Sequence, residues 1–139
     1  MVKHAAINVA VVGTGAVGVR AARQLHETEG VAGVVVVARK SARAASIAGQ
    51  LGEGASVGEW PAVAGAVDVV VLAVPDALQA DMARVCLGEG SSVVATASSI
   101  DAVDGVRGFA ARALSLGLVA VAGVGMSPGL SCLLAWRAA

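Results

Sequence analysis

The sequence predicts an α/β protein: a doubly wound parallel sheet of about six strands in the order 3-2-1-4-5-6, with helices on both faces. Short, nearly unbroken apolar runs alternate with segments whose apolar residues recur at helical spacing, which is typical of strands buried on both faces. Hydrophobic residues make up 57% of the 139 residues and charged residues 14%. This apolar content suits a covered sheet, and the length suits one domain.

The first apolar run and the glycine turn after it predict a phosphate site. The run covers Ala6–Val12, and a helix is predicted at Ala16–Glu27 directly after the turn. A Gly-x-Gly-x-x-Gly turn in this setting permits a tight bend, close approach of a pyrophosphate to the backbone, and close helix packing. Free N–H groups at the helix start then face the phosphates. The predicted dinucleotide-binding residues are Gly13, Thr14, Gly15, Ala16, Val17 and Gly18.

The residues after the second strand predict which dinucleotide binds. This strand is expected at Gly33–Ala38, and NAD-binding domains have an acidic residue near its end. Here Arg39, Lys40 and Ser41 follow instead, and neither the strand nor the next predicted helix contains a carboxylate. Cations and a hydroxyl suit a 2′-phosphate, so we expect NADP rather than NAD. A solvated basic helix start is the alternative interpretation.

The remaining elements continue the alternation. Ser41 is expected to cap a helix that ends at Leu51, and a brief helix is expected over Glu59–Ala64. A long helix is expected from about Asp101 to Leu116. On the helices after strands one and four, the predicted inner faces are Val17, Ala21 and Leu25, and Leu78, Met82, Val85 and Cys86. Further strands are predicted at Ala55–Val57, from Asp68, at Ser91–Ala95 and at Leu118–Ala122.

The exits of strands four and five are predicted to line the nicotinamide half of the cofactor. In such sheets ligands bind beyond the carboxyl ends of the strands, at the switch point between strands one and four. Asp76 is expected to cap the helix after strand four, and Ser98 or Ser99 the helix after strand five. The predicted lining residues are Ala73, Val74, Pro75, Ala97 and Ser98.

Composition excludes several other classes. Ten basic and ten acidic residues give a net charge of zero, and with no Tyr, one Phe and two Trp there is no nucleic-acid footprint. No apolar run reaches the roughly 18 residues of a membrane span, and no signal peptide is recognisable. Cys86 and Cys132 lack metal-ligand spacing, so we expect two reduced thiols, no metal, and a cytoplasmic protein.

Three motifs together resemble the saccharopine dehydrogenase-like family. They are the Gly-Thr-Gly-Ala-Val-Gly turn, the basic Arg39-Lys40-Ser41-x-Arg43, and the ending Gly-Met-Ser-Pro-Gly-Leu-Ser-x-Leu-Leu-Ala over residues 125–135. The resemblance covers essentially all of residues 1–139, as that family's N-terminal NAD(P)-binding Rossmann domain. It implies NADP-dependent oxidoreduction at a C–N bond of an amino-acid-like substrate. It also places Gly125, Met126 and Pro128 in the substrate-side crevice.

The resemblance leaves the catalytic residues unassigned, because that family's substrate domain is absent from these 139 residues. We therefore expect a cofactor-binding domain that is either truncated or acts with a missing partner, and we expect self-association. One alternative is an aspartate-semialdehyde-type dehydrogenase with Cys132 as its nucleophile, near a helix start that would stabilise a thiolate. The other alternative is a non-catalytic subunit or sensor that binds NADP(H).

Overall fold

The computed structural model describes residues 6–125 and 129–138. Its sheet has six strands in the order β3-β2-β1-β4-β5-β6, all paired in parallel, which confirms the predicted fold class and strand order. The strands are β1 (Ile7–Val12), β2 (Val31–Val37), β3 (Ala55–Gly58), β4 (Val69–Leu72), β5 (Ser92–Ala95) and β6 (Ala120–Val121). The helices are α1 (Ala16–His26), α2 (Ser41–Leu51), α3 (Asp76–Glu89), α4 (Ile100–Arg107), α5 (Ala110–Ser115) and α6 (Leu130–Ala138).

The central strand β1 is apolar on both faces because each face has its own layer of helices. Val9 and Val11 belong to the core cluster that includes Ala22 of α1 and Ile47 of α2. The residues between and after them on β1, Ala10 and Val12, belong to the opposite cluster, with the buried side chains of α3. Fully burying one such valine contributes about 1.5 kcal/mol or more, so this double coverage dominates the stability of the sheet.

The buried faces of α1 and α3 differ in part from the predicted ones: Cys86 is fully buried as predicted, and Leu25, Met82 and Val85 pack against the core, but Val17 and Leu78 do not lie inward. On α1, Gly18 and Ala22 are buried, whereas Val17 is 57% exposed. On α3, Leu78 is 51% exposed. The residues buried on α3 are Gln79, Ala83, Cys86 and Leu87. Tertiary contacts explain both orientations. Gly18 of α1 packs against Gly13 of the glycine turn, and the side-chain amide of Gln79 on α3 contacts the residues just after β4 and β5.

Three local predictions about caps and helices are wrong. Ser41 and Asp76 are the first helical residues of α2 and α3, and Lys40 and Pro75 hold the N-cap positions. In place of the helix predicted over Glu59–Ala64, residues 60–66 form turns, in which the Val63 N–H donates to the carbonyl of Glu59.

The long helix predicted after strand five is divided into α4 and α5 at Gly108 and Phe109. Phe109 packs against the core there, and a glycine in a helix interior weakens the helix. In the described part of the chain, no helix has both the length and the apolar character needed to cross a membrane.

Candidate dinucleotide site

Two glycines of the turn after β1 are required by the protein itself. Gly13 has φ +111°. A Cβ on this residue would collide with the carbonyl oxygen of Ala73 and would lie 2.7 Å from the carbonyl carbon of Ala73. A Cβ on Gly18 would collide with the carbonyl oxygen of Gly13. The turn therefore packs directly on the exit of β4 and on the first turn of α1, with no room for a side chain at either position.

Gly15, by contrast, faces open space. Its φ of −74° and ψ of −175° suit any residue, and no atom lies within 4 Å of the position that a Cβ would take. The fold itself therefore does not require a glycine at this position. The residues present fit a dinucleotide, because Gly15 leaves free the space in which a pyrophosphate would lie.

The start of α1 has the electrostatics of an anion site. Gly15 is its N-cap and supplies no side-chain hydrogen bond, and the first turn contains no acidic residue. Its leading N–H groups therefore lack a capping side chain, and the positive end of the helix dipole faces the open side of the turn. Arg23 and His26 lie in the last turn, where cations are favourable.

The basic residues after β2 lie beside this turn. The Gly13 N–H donates to the carbonyl of Val37, the last residue of β2, at 2.9 Å, and Arg39 follows two residues later. Arg39, Lys40 and Ser41 are exposed, and α2 has no acidic residue in its first turn. Within residues 6–125 and 129–138 the one recorded ion pair joins Arg107 to Asp104, so no described carboxylate neutralises these cations.

The exits of β4 and β5 form the edge of the sheet next to the turn. Ala73 and Val74 are half-buried, and Pro75 is exposed. Ser98 is exposed, whereas Ala97 is 5% exposed and packs in a small cluster with two buried residues of α4. Four of the five predicted nicotinamide-side residues are therefore at least partly accessible at this edge, while the side chain of Ala97 lies in the interior.

Asp76 joins the two exits, which sequence reasoning did not anticipate. Its Oδ2 accepts hydrogen bonds from the N–H groups of Ser99 at 2.8 Å and of Ser98 at 3.2 Å. The carboxylate thus caps α4, where Ser99 is the N-cap residue without a side-chain cap of its own. The hydrogen bonds from Ser99, and then those from Ser98, lower the pKa of Asp76 below its ordinary value of 3.8.

Replacing Asp76 with asparagine is expected to lower the Tm at neutral pH. A carboxyl whose folded pKa lies below its unfolded value stabilises the protein above the unfolded value, and this stabilisation disappears as pH falls through the folded pKa. The difference in Tm between wild type and Asp76→Asn should therefore be full at pH 7 and close below pH 3.8. Asp81→Asn, at an exposed carboxylate of the same helix, is the control. A difference that persists unchanged in acid would contradict the assignment.

Gln79 is the residue of this region that the sequence prediction missed. It is 1% exposed, and its Nε2 donates to the carbonyl of Val74 at 2.7 Å and lies 3.5 Å from Oγ1 of Thr96. The Thr96 hydroxyl in turn donates to the carbonyl of Leu72 at 2.9 Å. The available signal was the spacing of Gln79 with Ala83 and Cys86, which is as regular as the spacing that favoured Leu78.

The segment after β6 is only partly described. Gly125 is exposed and bridges to Gly129, whereas Met126, Ser127 and Pro128 lie outside the described residues. A shallow, mainly apolar cavity of about 480 Å³ is lined by Val124, Gly129, Leu130, Cys132 and Leu133. No residue of α6 is buried, and Trp136 is 81% exposed. The start of α6 therefore adjoins an uncovered apolar surface.

The two cysteines differ in environment. Cys86 is fully buried on α3, and burial raises the pKa of its thiol to about 11. Cys132 is exposed in the first turn of α6, where its N–H donates to the carbonyl of Gly129. Among the described residues there is no group of three or more His, Cys, Asp or Glu side chains that would hold a metal ion.

Residues 7–95 match the Gfo/Idh/MocA model, described as an oxidoreductase family with an NAD-binding Rossmann fold. No curated protein matches the sequence.

Similar solved structures include GenD2 from gentamicin A biosynthesis in complex with NAD, 29% identical over 87% of this chain and 34% of that one, with a TM-score of 0.72. Saccharopine dehydrogenase (L-Glu forming) from Saccharomyces cerevisiae is 21% identical over 95% of this chain and 30% of that one, at a TM-score of 0.77. UDP-N-acetylglucosamine 3-dehydrogenase GnnA from Acidithiobacillus ferrooxidans is 22% identical over 84% of this chain and 38% of that one, with a TM-score of 0.66. The chain thus spans between 30% and 38% of the length of these three relatives.

Proposed function

Because the chain belongs to the Gfo/Idh/MocA oxidoreductase family, we propose that it is the cofactor-binding domain of an NADP-dependent dehydrogenase. The observation that carries this proposal is the open side of Gly15, between an uncapped helix start and the unpaired cations after β2. When bound, the cofactor accepts or donates a hydride. The described residues bind its phosphates at residues 13–18 and shield its nicotinamide end with the exits of β4 and β5.

The preference for NADP over NAD rests on Arg39, Lys40 and Ser41. A ribose 2′-hydroxyl is bound by a carboxylate in NAD-selective domains, and such a carboxylate would repel a 2′-phosphate. Here three exposed donors follow β2 without an acidic neighbour in the first turn of α2. Arg39 is proposed to bind the 2′-phosphate, and the other two residues to add a charge and a hydrogen bond. NAD is the alternative, since GenD2 is in complex with NAD.

NADPH is expected to bind more tightly than NADH, and the substitution Arg39→Ala is expected to reduce this difference in affinity. Removing a bidentate charge-assisted contact should weaken NADPH binding by about tenfold or more and leave NADH within about twofold. Isothermal titration calorimetry of both dinucleotides with both proteins measures this directly. Arg84→Ala, at an exposed arginine of α3, is the matched control and should change neither affinity. Equal affinities of the unmodified chain for NADPH and NADH would refute the preference.

The proposed substrate is an amino-acid-like molecule oxidised or reduced at a C–N bond. Support comes from the motif over residues 125–135 and from the likeness to saccharopine dehydrogenase, which extends over 95% of the chain. A second candidate is oxidation of a sugar-like alcohol, supported by the likeness to UDP-N-acetylglucosamine 3-dehydrogenase and to myo-inositol 2-dehydrogenase. Assaying dinucleotide reduction with L-glutamate and with myo-inositol separates the two, using the enzyme completed by the domain or subunit proposed below, because each candidate expects turnover of only one of them.

We further propose that a substrate domain or a second subunit completes the enzyme. The apolar residues of α6 support this, since Leu133, Leu134 and Trp136 are 65%, 59% and 81% exposed. Apolar surface on this scale usually contacts another domain or subunit. The greater length of the structural relatives leaves room for such a domain. Gly125, Met126 and Pro128 are proposed to border its crevice, and Cys132 remains the candidate nucleophile of the aspartate-semialdehyde-type alternative.

A further inference from the structure

The amide of Gln79 lies where the carboxyl ends of β4 and β5 meet. Its Nε2 is 2.7 Å from the carbonyl oxygen of Val74, which follows β4, and 3.5 Å from Oγ1 of Thr96, which follows β5. Only the amino group of an amide donates to a carbonyl, so this orientation of the side chain is determined by Val74. Because Oε1 is bonded to the same carbon as Nε2, it lies at the same junction.

Oε1 of Gln79 is buried and has no hydrogen-bond partner among the described residues. An unsatisfied buried acceptor is unfavourable, whereas a methionine of similar shape would fill the same space without one. Packing alone therefore gives no reason for an amide at this position. What the amide adds is a donor that holds the Val74 carbonyl inward and lies next to the Thr96 hydroxyl.

The two strand exits held by Gln79 are the ones proposed to border the nicotinamide. Val74 is half-buried and Thr96 is exposed, so both border the accessible edge of the sheet. Thr96 is tied to β4 twice, since its N–H and its hydroxyl both donate to the carbonyl of Leu72. Gln79 adds a link from α3 to Val74 and Thr96, which follow these two strands. The Gln79 amide therefore adds a buried link to those that Asp76 and Thr96 make between the two exits.

We propose that Gln79 is a positioning residue for the nicotinamide end of the dinucleotide, acting through the Val74 carbonyl and Thr96. This inference rests on the proposed function, since it requires a dinucleotide at the glycine turn. The adenosine and phosphate groups are proposed to contact residues 13–18 and 39–41, and the hydrogen bonds of Gln79 go to Val74 and Thr96 rather than to any of these residues. Gln79 should therefore affect binding of the nicotinamide half alone.

The test compares each dinucleotide with the fragment that lacks nicotinamide. Calorimetry is performed on the 139-residue chain with NADPH and 2′-phospho-ADP-ribose, and with NADH and ADP-ribose. Gln79→Met should weaken whichever dinucleotide binds by about tenfold, because the hydrogen bond that pre-orders the wall is lost. The matching fragment should stay within about twofold of its wild-type affinity. A residue that only stabilises the fold would change both affinities together or neither.

Thr96 gives an independent test from the exposed side of the junction. Thr96→Val removes the hydroxyl and should repeat the selective loss, while Thr96→Ser keeps the hydroxyl and should restore wild-type binding. Gln24→Met, on the exposed side of α1, is the matched control and should change no affinity. If Gln79→Met does not fold, the Thr96 pair decides the question.

The possible failures are distinguishable. If the wild-type chain binds dinucleotides but neither Gln79→Met nor Thr96→Val alters the ratio of dinucleotide to fragment affinity, the inference about Gln79 is overturned and the proposed function stands. Equal weakening of dinucleotide and fragment also overturns the inference, because the effect then reaches the whole site. If the wild-type chain binds no dinucleotide and no fragment, the proposed function fails and takes the inference with it.

Discussion

Gly15→Val is expected to weaken dinucleotide binding by about a hundredfold or more while leaving the fold intact. The backbone at this residue suits any side chain, and no protein atom lies within 4 Å of a Cβ built there. The valine methyl groups would instead occupy the space in which the pyrophosphate approaches the backbone. Calorimetry with NADPH and NADH measures the loss, and thermal unfolding should show a Tm close to that of the wild type.

Gly49→Val provides the matched control for this change. Gly49 is an exposed residue of α2 that also has no atom within 4 Å of its Cβ position, and it lies near the end of that helix away from the turn. The control should retain wild-type affinity for both dinucleotides. If Gly15→Val binds them as tightly as the control does, the open side of Gly15 is not the pyrophosphate site.

Gly13→Ala is expected to destabilise the protein by about 3–5 kcal/mol. The residue has φ +111°, and an added Cβ would lie 2.7 Å from the carbonyl carbon of Ala73 and collide with its oxygen. Backbone strain and overpacking each cost about 1–3 kcal/mol, and the two act together here because neither the turn nor β4 can shift freely. Chemical denaturation in urea measures the free energy of unfolding. The loss is a large part of the 5–15 kcal/mol typical of a domain.

Gly49→Ala is the opposite case and serves as the control. It replaces an exposed helical glycine with the best helix former, so a gain of about 0.5–1 kcal/mol is expected. The two substitutions add the same methyl group and should differ in sign. A nearly neutral Gly13→Ala would mean that the glycine turn does not pack on β4 as described.

The strand order and the glycine turn were predictable because they depend on short-range rules. An apolar run followed by glycines and a helical period leaves few choices for the backbone, and parallel connections restrict the order of the strands. The end of α2 at Leu51 was predicted correctly, and its start was predicted to within one residue. The expected preference for a 2′-phosphate also needed no geometry. It depends only on which residue types follow β2, namely cations in the place of a carboxylate.

The positions of individual side chains at the strand exits were not predictable. Leu78 and Gln79 both fit a helical face, and hydrophobicity favoured the leucine, yet the structure buries the glutamine. Asp76 was expected to cap its own helix, and it caps α4 instead, more than twenty residues further along the chain. Each outcome depends on which carbonyl or N–H group another segment brings within reach. A periodicity within one helix carries no information about that.

The sequence by itself determined a parallel sheet of six strands with a glycine turn after β1 and basic residues after β2. These features follow from backbone sterics, apolar periodicity and the charges of neighbouring residues. Only the tertiary structure showed which atoms exclude a side chain at two glycines of the turn: the carbonyl group of Ala73 at Gly13, and the carbonyl oxygen of Gly13 at Gly18. It also joined the exits of β4 and β5 through Asp76 and Gln79. Such contacts link distant segments, so they exist only once the sheet has brought those segments together.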